Sequence, residues 1–309
     1  MEKKQVLVMT PCEQGIKDKI RKECGAFYSF SFMDGKETPA EEFEKAQIII
    51  GEPDYEDIKE LTQLEWVQMT WAGTDKYTRN GPFPQGVRLT NASGAFGVII
   101  SEYILAGILS LTRNLIYYKE EQKQHRWSPL SHEILLYGKK ALFLGTGNIA
   151  SETAKRLQVF GCETIGLHRT SASVTYFDKT DCLSCIDEYL AEADLVIAAL
   201  PNQEETMNLM TYDRFAKMKK DAIFVNVGRG NLLSEGALEK ALSQGMLAGA
   251  VLDVQRVEPL GEESPLWDYD RVILTPHIAG PSFSSTLDTQ RRIYDICIKN
   301  LKKYLEISC

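Results

Sequence analysis

Three side chains in the final third of the chain, Arg229, Glu258 and His277, could together hold a carboxylate and move a proton. Arg229 stands between two glycines in "FVNVGRGNLL", Glu258 nearly closes "LDVQRVEP", and His277 sits in "LTPHIAG". Each follows an apolar, strand-like run. Imidazole titrates near neutral pH, so His277 suits a general acid–base. Glu258 could hydrogen-bond its far nitrogen, orient the ring and favour the imidazolium. Arg229 could bind a carboxylate bidentately and polarise a neighbouring keto oxygen. Beside a nicotinamide, such a trio suits hydride transfer to or from C2 of a 2-keto or 2-hydroxy acid, while a proton moves on its oxygen. Taken singly, Arg229 also reads as an exposed surface arginine and His277 as a satisfied core histidine. Their company is what favours chemistry.

A dinucleotide site stands upstream. "KALFLGTGNIA" (140–150) runs from a strand into Gly145, Thr146, Gly147, Asn148, Ile149 and Ala150, and a helical pattern follows with Ala150, Ala154, Leu157 and Phe160 on one face. In that strand–turn–helix context, G-x-G-x-x-G/A cradles a pyrophosphate. Gly145 permits the turn, Gly147 lets backbone approach the phosphates, and Ala150 allows close helix–sheet packing. The helix N-terminus adds N–H groups and the positive end of its dipole. A glycine-rich turn without a ligand is the alternative. The next strand should end at the adenosine ribose, about 20 residues on, where an NAD site carries Asp or Glu. Here that place holds His168, followed by Arg169, Thr170 and Ser171. A guanidinium attracts a 2′-phosphate that a carboxylate would repel, so the residues favour NADP(H), with NAD(H) the alternative if Arg169 points into solvent.

Positioning these loops requires a parallel sheet. Short runs such as "QVLVM", "AQIIIG", "WVQMT" and "VRLT" precede residue 97, and "KALFLG", "TIGLH", "DLVIAAL", "AIFVNV", "AGAVLDV" and "RVILT" follow it. They are continuously apolar and alternate with helix-length segments, which predicts α/β architecture with strands covered on both faces. The loops of Arg229, Glu258 and His277 would then leave the same sheet edge as the glycine loop. Hinges at "GAFG" (94–97) and "IAGPS" (278–282) predict one domain from 1–97 with 281–309 and a second over 98–280. The last segment reads as an amphipathic helix returning to the first domain. "VIISEYILAGILSLTRNLIYY" (98–118), interrupted by Glu102 and Arg113, is too short to span a bilayer. It predicts a helix buried all round, in a core or a subunit interface.

Composition narrows the partners. With 44% hydrophobic and 25% charged residues, the 309-residue chain is globular rather than disordered. A net charge of −8 disfavours nucleic acid and anionic membrane surfaces. The N-terminus lacks the small-residue cleavage site of a signal peptide. Seven cysteines, an odd number, suggest reduced thiols and a cytoplasmic setting. Cys182 and Cys185 form a single C-x-x-C without a second pair or nearby histidine, so neither a metal site nor a redox role is expected.

The chain resembles the D-isomer-specific 2-hydroxyacid dehydrogenases, a family that includes glyoxylate/hydroxypyruvate reductases and phosphoglycerate dehydrogenases. The resemblance rests on "WAGTD" (71–75), "LTNASGAFGVIISEYILAGIL" (89–109), "LGTGNIA" (144–150), "LPNQEET" (200–206), "NVGRG" (226–230), "LDVQRVEPL" (252–260) and "TPHIAGPS" (275–282). It implies two doubly wound domains, a flavodoxin-like substrate domain and a Rossmann dinucleotide domain. It assigns Arg229, Glu258 and His277 as the catalytic trio. It places the substrate carboxylate on the amides around Ala72 and Gly73, Asp253 near the nicotinamide carboxamide, and Pro201, Val227 and Gly228 along the cofactor. It also implies an active site in the interdomain cleft and a homodimer formed through the helix from residue 98. Trp71 would narrow the pocket toward a small substrate, unless it is a core tryptophan.

Some positions depart from the family pattern. Gln255 and Arg256 stand where Phe and Glu are common, and Gln203 where threonine is common. These touch cofactor contacts and substrate preference, not the trio. The first reading is therefore an NADPH-preferring reductase of small 2-keto acids. An NAD-linked phosphoglycerate dehydrogenase is the alternative within the enzyme class, and a dinucleotide-sensing binding protein without turnover is the alternative from another class.

Overall fold

A computed structural model describes residues 2–78, 83–131, 133–170, 173–280 and 287–308. Ser171, Pro281 and Ser282, named above at the cofactor turn and the second hinge, lie outside the described residues. The chain divides into two compact units, Met1–Phe96 with Pro281–Cys309, and Gly97–Gly280.

In the first unit, β1 (Lys4–Val8), β2 (Tyr28–Phe32), β3 (Ile48–Ile50), β4 (Trp66–Gln68) and β5 (Arg88–Thr90) are parallel, in the order β2-β1-β3-β4-β5. That is the flavodoxin-like order. Alternation along the strands assigns the two faces. Val6, Val8, Ile48, Ile50 and Trp66 pack with Ile293, Tyr294, Cys297, Ile298 and Leu301 of the C-terminal helix Leu287–Ser308. Leu7, Ile49 and Val67 point the other way, onto Phe43, Ile58 and Leu64.

In the second unit, β6 (Lys140–Leu144), β7 (Glu163–His168), β8 (Lys179–Cys182), β9 (Leu195–Ala198), β10 (Ile223–Asn226), β11 (Gly249–Leu252) and β12 (Val272–Leu274) form one parallel sheet. Its order is β12-β11-β10-β9-β6-β7-β8. The chain winds outward from β6 to β8, then returns to the other side of β6 as β9. The order reverses between β6 and β9, and this switch point is where open α/β sheets leave a crevice at the carboxyl ends of their strands. Leu142 and Leu144 pack on one face with Ile165, Val196, Phe224 and Leu252, under helices that contribute Phe215, Leu238 and Ala241.

Two strands, β2 and β8, are absent from the apolar-run reading. Both lie at a sheet edge, where one side of the strand has no neighbour and "YSFSF" and "KTDC" can alternate with polar residues.

The segment 98–118 is not one helix buried all round. It forms Gly97–Thr112, breaks where Asn114 adopts φ 54°, and resumes as Leu115–Lys123. Ile100, Ile104, Ile108 and Leu111 bury one side, while Glu102 and Ala106 are exposed. The helix covers a sheet face and keeps an outer surface of its own. Among the described residues no single helix is long and apolar enough to cross a membrane. Phe160 likewise leaves its expected buried face, because the helix ends at Val159 and the ring lies exposed beyond it.

Candidate active site

The glycine loop has the geometry that a phosphate cradle needs. Gly145 turns the chain off β6 with φ +100°, a conformation that L side chains resist. Its N–H donates to the Leu167 carbonyl at 2.8 Å, which pins the turn to β7. Gly147 is the N-cap of the helix Asn148–Val159 and brings no side-chain cap, and a Cβ there would meet nothing within 4 Å. The first-turn N–H groups therefore stand over open space at the positive end of the helix, as an anionic pyrophosphate requires. Thr146 packs its methyl beside Gly166 of β7, Ile149 is half-buried, and the Asn148 side chain turns toward Gly97. Asn148 thus offers its backbone rather than its amide.

At the end of β7, His168 is half-buried, with Nδ1 3.4 Å from the Thr170 hydroxyl. Arg169 and Thr170 are exposed. Pro201 is exposed at the end of β9, and its carbonyl accepts from the Thr206 hydroxyl at 2.7 Å. Val227 and Gly228 are buried at the end of β10, next to half-buried Arg229, whose Nη1 donates to the Gly228 carbonyl at 2.8 Å.

The structure brings Glu258 and His277 together. Glu258 Oε2 lies 2.9 Å from His277 Nδ1, and Glu258 Oε1 accepts the Gln255 N–H at 2.9 Å. A carboxylate partner places the proton on Nδ1, so Nε2 is left to exchange a proton with a ligand. The ring is half exposed and reachable. His277 also holds a left-handed backbone with φ 56°, which costs a non-glycine residue on the order of 1 kcal/mol. Asp253 secures this conformation. It is 2% exposed. Its Oδ1 accepts from the Thr275 hydroxyl at 2.6 Å and the Ile278 N–H at 2.8 Å, and its Oδ2 from the Ala279 N–H at 2.9 Å. The Asp253 carbonyl accepts the His277 N–H at 2.9 Å. Glu258 and His277 line a cavity of about 490 Å³, with Trp267, Leu260 and Leu274 as its apolar wall.

In the first unit, Trp71 is 51% exposed, which excludes the core reading. Ala72 and Gly73 follow it half-buried, and among the described residues their N–H groups donate to no protein acceptor.

Residues 105–279 match the NAD-binding domain of the D-isomer specific 2-hydroxyacid dehydrogenases. The chain belongs to that family. It is an oxidoreductase that uses a nicotinamide dinucleotide. The glyoxylate reductase of Thermofilum pendens is 32% identical over 224 residues, covering 70% of this chain and 65% of the relative. The D-3-phosphoglycerate dehydrogenase of Haemophilus influenzae is 34% identical over 236 residues, 72% of this chain and 54% of the relative. The match thus spans little more than half of that longer protein. A crystal structure of a D-isomer specific 2-hydroxyacid dehydrogenase family protein from Aeromonas salmonicida superimposes with a TM-score of 0.86 at 31% identity, covering 99% of this chain and 96% of the other.

Glu52 went unread in the sequence, and Asn226 and Gly230, read there only as part of "NVGRG", shape this dehydrogenase's loops through contacts that the motif does not show. Asn226, fully buried at the end of β10, accepts the Gly228 N–H at 3.1 Å and donates to the Arg229 carbonyl at 3.0 Å. It fixes the turn that carries Arg229. Gly230 packs so closely on the next loop that a Cβ would fall 1.9 Å from the Gln255 carbonyl carbon. Glu52, just past β3, holds the 70–71 backbone. Its Oε1 accepts the Thr70 N–H at 2.6 Å and the Trp71 N–H at 3.1 Å, and the Thr70 hydroxyl reaches both its oxygens, at 2.9 and 3.0 Å. Burial nevertheless raises the Glu52 pKa, outweighing those hydrogen bonds. An acid that follows a strand was the available signal for Glu52, and a polar residue closing an apolar strand was the signal for Asn226.

Proposed function

We propose that this dehydrogenase reduces small 2-keto acids of the glyoxylate or hydroxypyruvate type to D-2-hydroxy acids, with NADPH preferred over NADH. The observation that carries the reading is the Glu258–His277 pair, 2.9 Å apart, on loops leaving the same edge of the sheet as the glycine cradle. A nicotinamide held there would supply or accept the hydride. His277 Nε2 gives a proton to the C2 oxygen during reduction and takes it back during oxidation. Glu258 accepts from Nδ1–H and orients the ring. Arg229 binds the substrate carboxylate and polarises the keto oxygen. The amides of Ala72 and Gly73 also hold the carboxylate, and Trp71 limits the substrate's size. Gly145, Thr146, Gly147, Asn148 and Ile149 would hold the pyrophosphate, and Pro201, Val227, Gly228 and Asp253 would flank the nicotinamide half.

His168, Arg169 and Thr170 would receive the 2′-phosphate, a reading supported by the lack of a carboxylate at the end of β7. Following NADPH and NADH oxidation with a panel of 2-keto acids tests the whole proposal. Turnover of a phosphorylated keto acid with NADH would support a phosphoglycerate dehydrogenase instead. Tight dinucleotide binding without turnover of any acid would support a sensor. Arg169→Asp should reverse the NADPH/NADH preference, and unchanged selectivity would show that Arg169 does not read the 2′-phosphate.

Glu52→Ala leaves the Thr70 and Trp71 N–H groups without their acceptor, at a cost of about 1–3 kcal/mol for a buried donor. It should raise the keto-acid KM about tenfold while kcat and the NADPH KM change little. Glu52→Gln keeps an acceptor oxygen and should rescue the KM. A kcat loss with unchanged keto-acid KM would remove Glu52 from the carboxylate loop.

We further propose a homodimer. Trp127 is 99% exposed, Leu135 and Tyr137 are exposed near it in sequence, and the helix Gly97–Thr112 keeps an outer side. Light scattering should give twice the chain's mass. The free thiols of Cys12, Cys24, Cys162 and Cys297, all buried, suit a reducing compartment such as the cytoplasm.

A further inference from the structure

The reductase reaction leaves the cysteine pair of "DCLSC" unused. Cys182 ends β8 in register with His168, the last residue of β7. It is also the N-cap of the 3-10 turn Leu183–Cys185, which puts Cys185 at the third position of that turn. N-cap and N3 side chains face one another across a first turn, the relation that closes a capping box. Cys182 and Cys185 are partly exposed, whereas the other described cysteines are buried. Cys182 Sγ donates to the Arg169 carbonyl at 3.5 Å, which ties the pair to the turn assigned above to the 2′-phosphate. The Ser184 hydroxyl and the turn's N–H groups hold the Cys182 thiol below its ordinary pKa, while desolvation holds Cys185 above it. That division suits an attacking thiol and a resolving one.

We propose that Cys182 and Cys185 form a reversible disulfide by exchange with small disulfides, and that closing it weakens dinucleotide binding at the His168–Thr170 turn. The coupling rests on the cofactor reading given above. The Cys182 thiolate attacks one sulfur of the small disulfide, forming a mixed disulfide and expelling one thiolate. The Cys185 thiolate then displaces the second and closes the internal bond. The protein loses two electrons and two protons, and the small disulfide becomes two thiols. Sγ of Cys182 then has no proton for the Arg169 carbonyl and is drawn toward Cys185. The tether on the cofactor turn is lost.

The reduced full-length protein is incubated with glutathione disulfide, with and without NADPH. Thiol pairing is then mapped by mass spectrometry and kinetics are measured. The expected product is a 182–185 disulfide that raises the NADPH KM about tenfold, the equivalent of one lost local interaction. Dithiothreitol should reverse it and bound NADPH should slow its formation. Cys185→Ser should keep basal activity and trap glutathione on Cys182, and Cys182→Ser should give neither product. A pair that stays reduced overturns the proposal, as does a closed disulfide with an unchanged NADPH KM. Failure of the reduced protein to bind NADPH would instead overturn the cofactor reading, and the coupling with it.

Discussion

His277→Ala should lower kcat by about a thousandfold, within the range that positioned acid–base groups contribute, and leave dinucleotide affinity nearly unchanged. Removing the imidazole removes the group proposed to protonate the C2 oxygen, so each hydride transfer would leave an alkoxide waiting on solvent. The glycine loop and the end of β7 do not involve His277, so binding of NADPH should survive. Stopped-flow turnover and dinucleotide titration by fluorescence separate the two effects. Wild-type turnover would sink the assignment of His277 as general acid. A parallel loss of dinucleotide affinity would mean that the ring supports the site's structure rather than its proton transfer. The structure argues against that second outcome. The loop is held by Asp253 through Thr275, Ile278 and Ala279, none of which needs the imidazole.

The candidate reacting residues were legible because chemistry restricts such groups to a few types at the ends of strands. Arg, Glu and His after three apolar runs, with G-x-G-x-x-A after a fourth, could be read without coordinates. The sheets were legible for the same reason: central strands are covered on both faces and leave continuous apolar runs. What supports the reacting groups was not legible. Glu52 meets Thr70 and Trp71 across 18 and 19 residues, and no local pattern announces that contact. Asp253 was read as a cofactor residue. Its geometry shows both oxygens on the loop of His277, a partnership that depends on β11 pairing with β12. The edge strands β2 and β8 escaped because an edge relaxes the demand for apolar residues. The break at Asn114 escaped because a left-handed residue inside an apolar run leaves little trace in composition.

Gly230→Ala should lower kcat/KM about a hundredfold or more, the loss expected when reacting groups are misplaced by about 1 Å. A Cβ at this position would lie 1.9 Å from Gln255 C, 2.0 Å from Gln255 O and 2.3 Å from Arg256 N. All three are backbone atoms, so no rotamer change relieves the clash, and one of the two loops must move. The Gln255–Glu258 loop is held by the Arg256 guanidinium, which donates to Asn208 Oδ1 and to the carbonyl of Leu233, the cap of the Gly230–Leu232 turn. The Arg229 turn is held by Asn226. Either loop's displacement shifts a proposed reacting group, Arg229 in one case and Glu258 in the other. The glycine loop joins β6 to the helix Asn148–Val159 and is not part of this contact, so the pyrophosphate contacts should persist while Gly228 or Asp253, proposed beside the nicotinamide, moves with its loop. Gly245→Ala is the control. It has φ +63° but nothing within 4 Å of an added Cβ, so it should cost about 1 kcal/mol of stability and no activity. If both variants lose stability alone and keep wild-type kcat/KM, the close approach of Gly230 does not set the register between Arg229 and the Glu258–His277 pair.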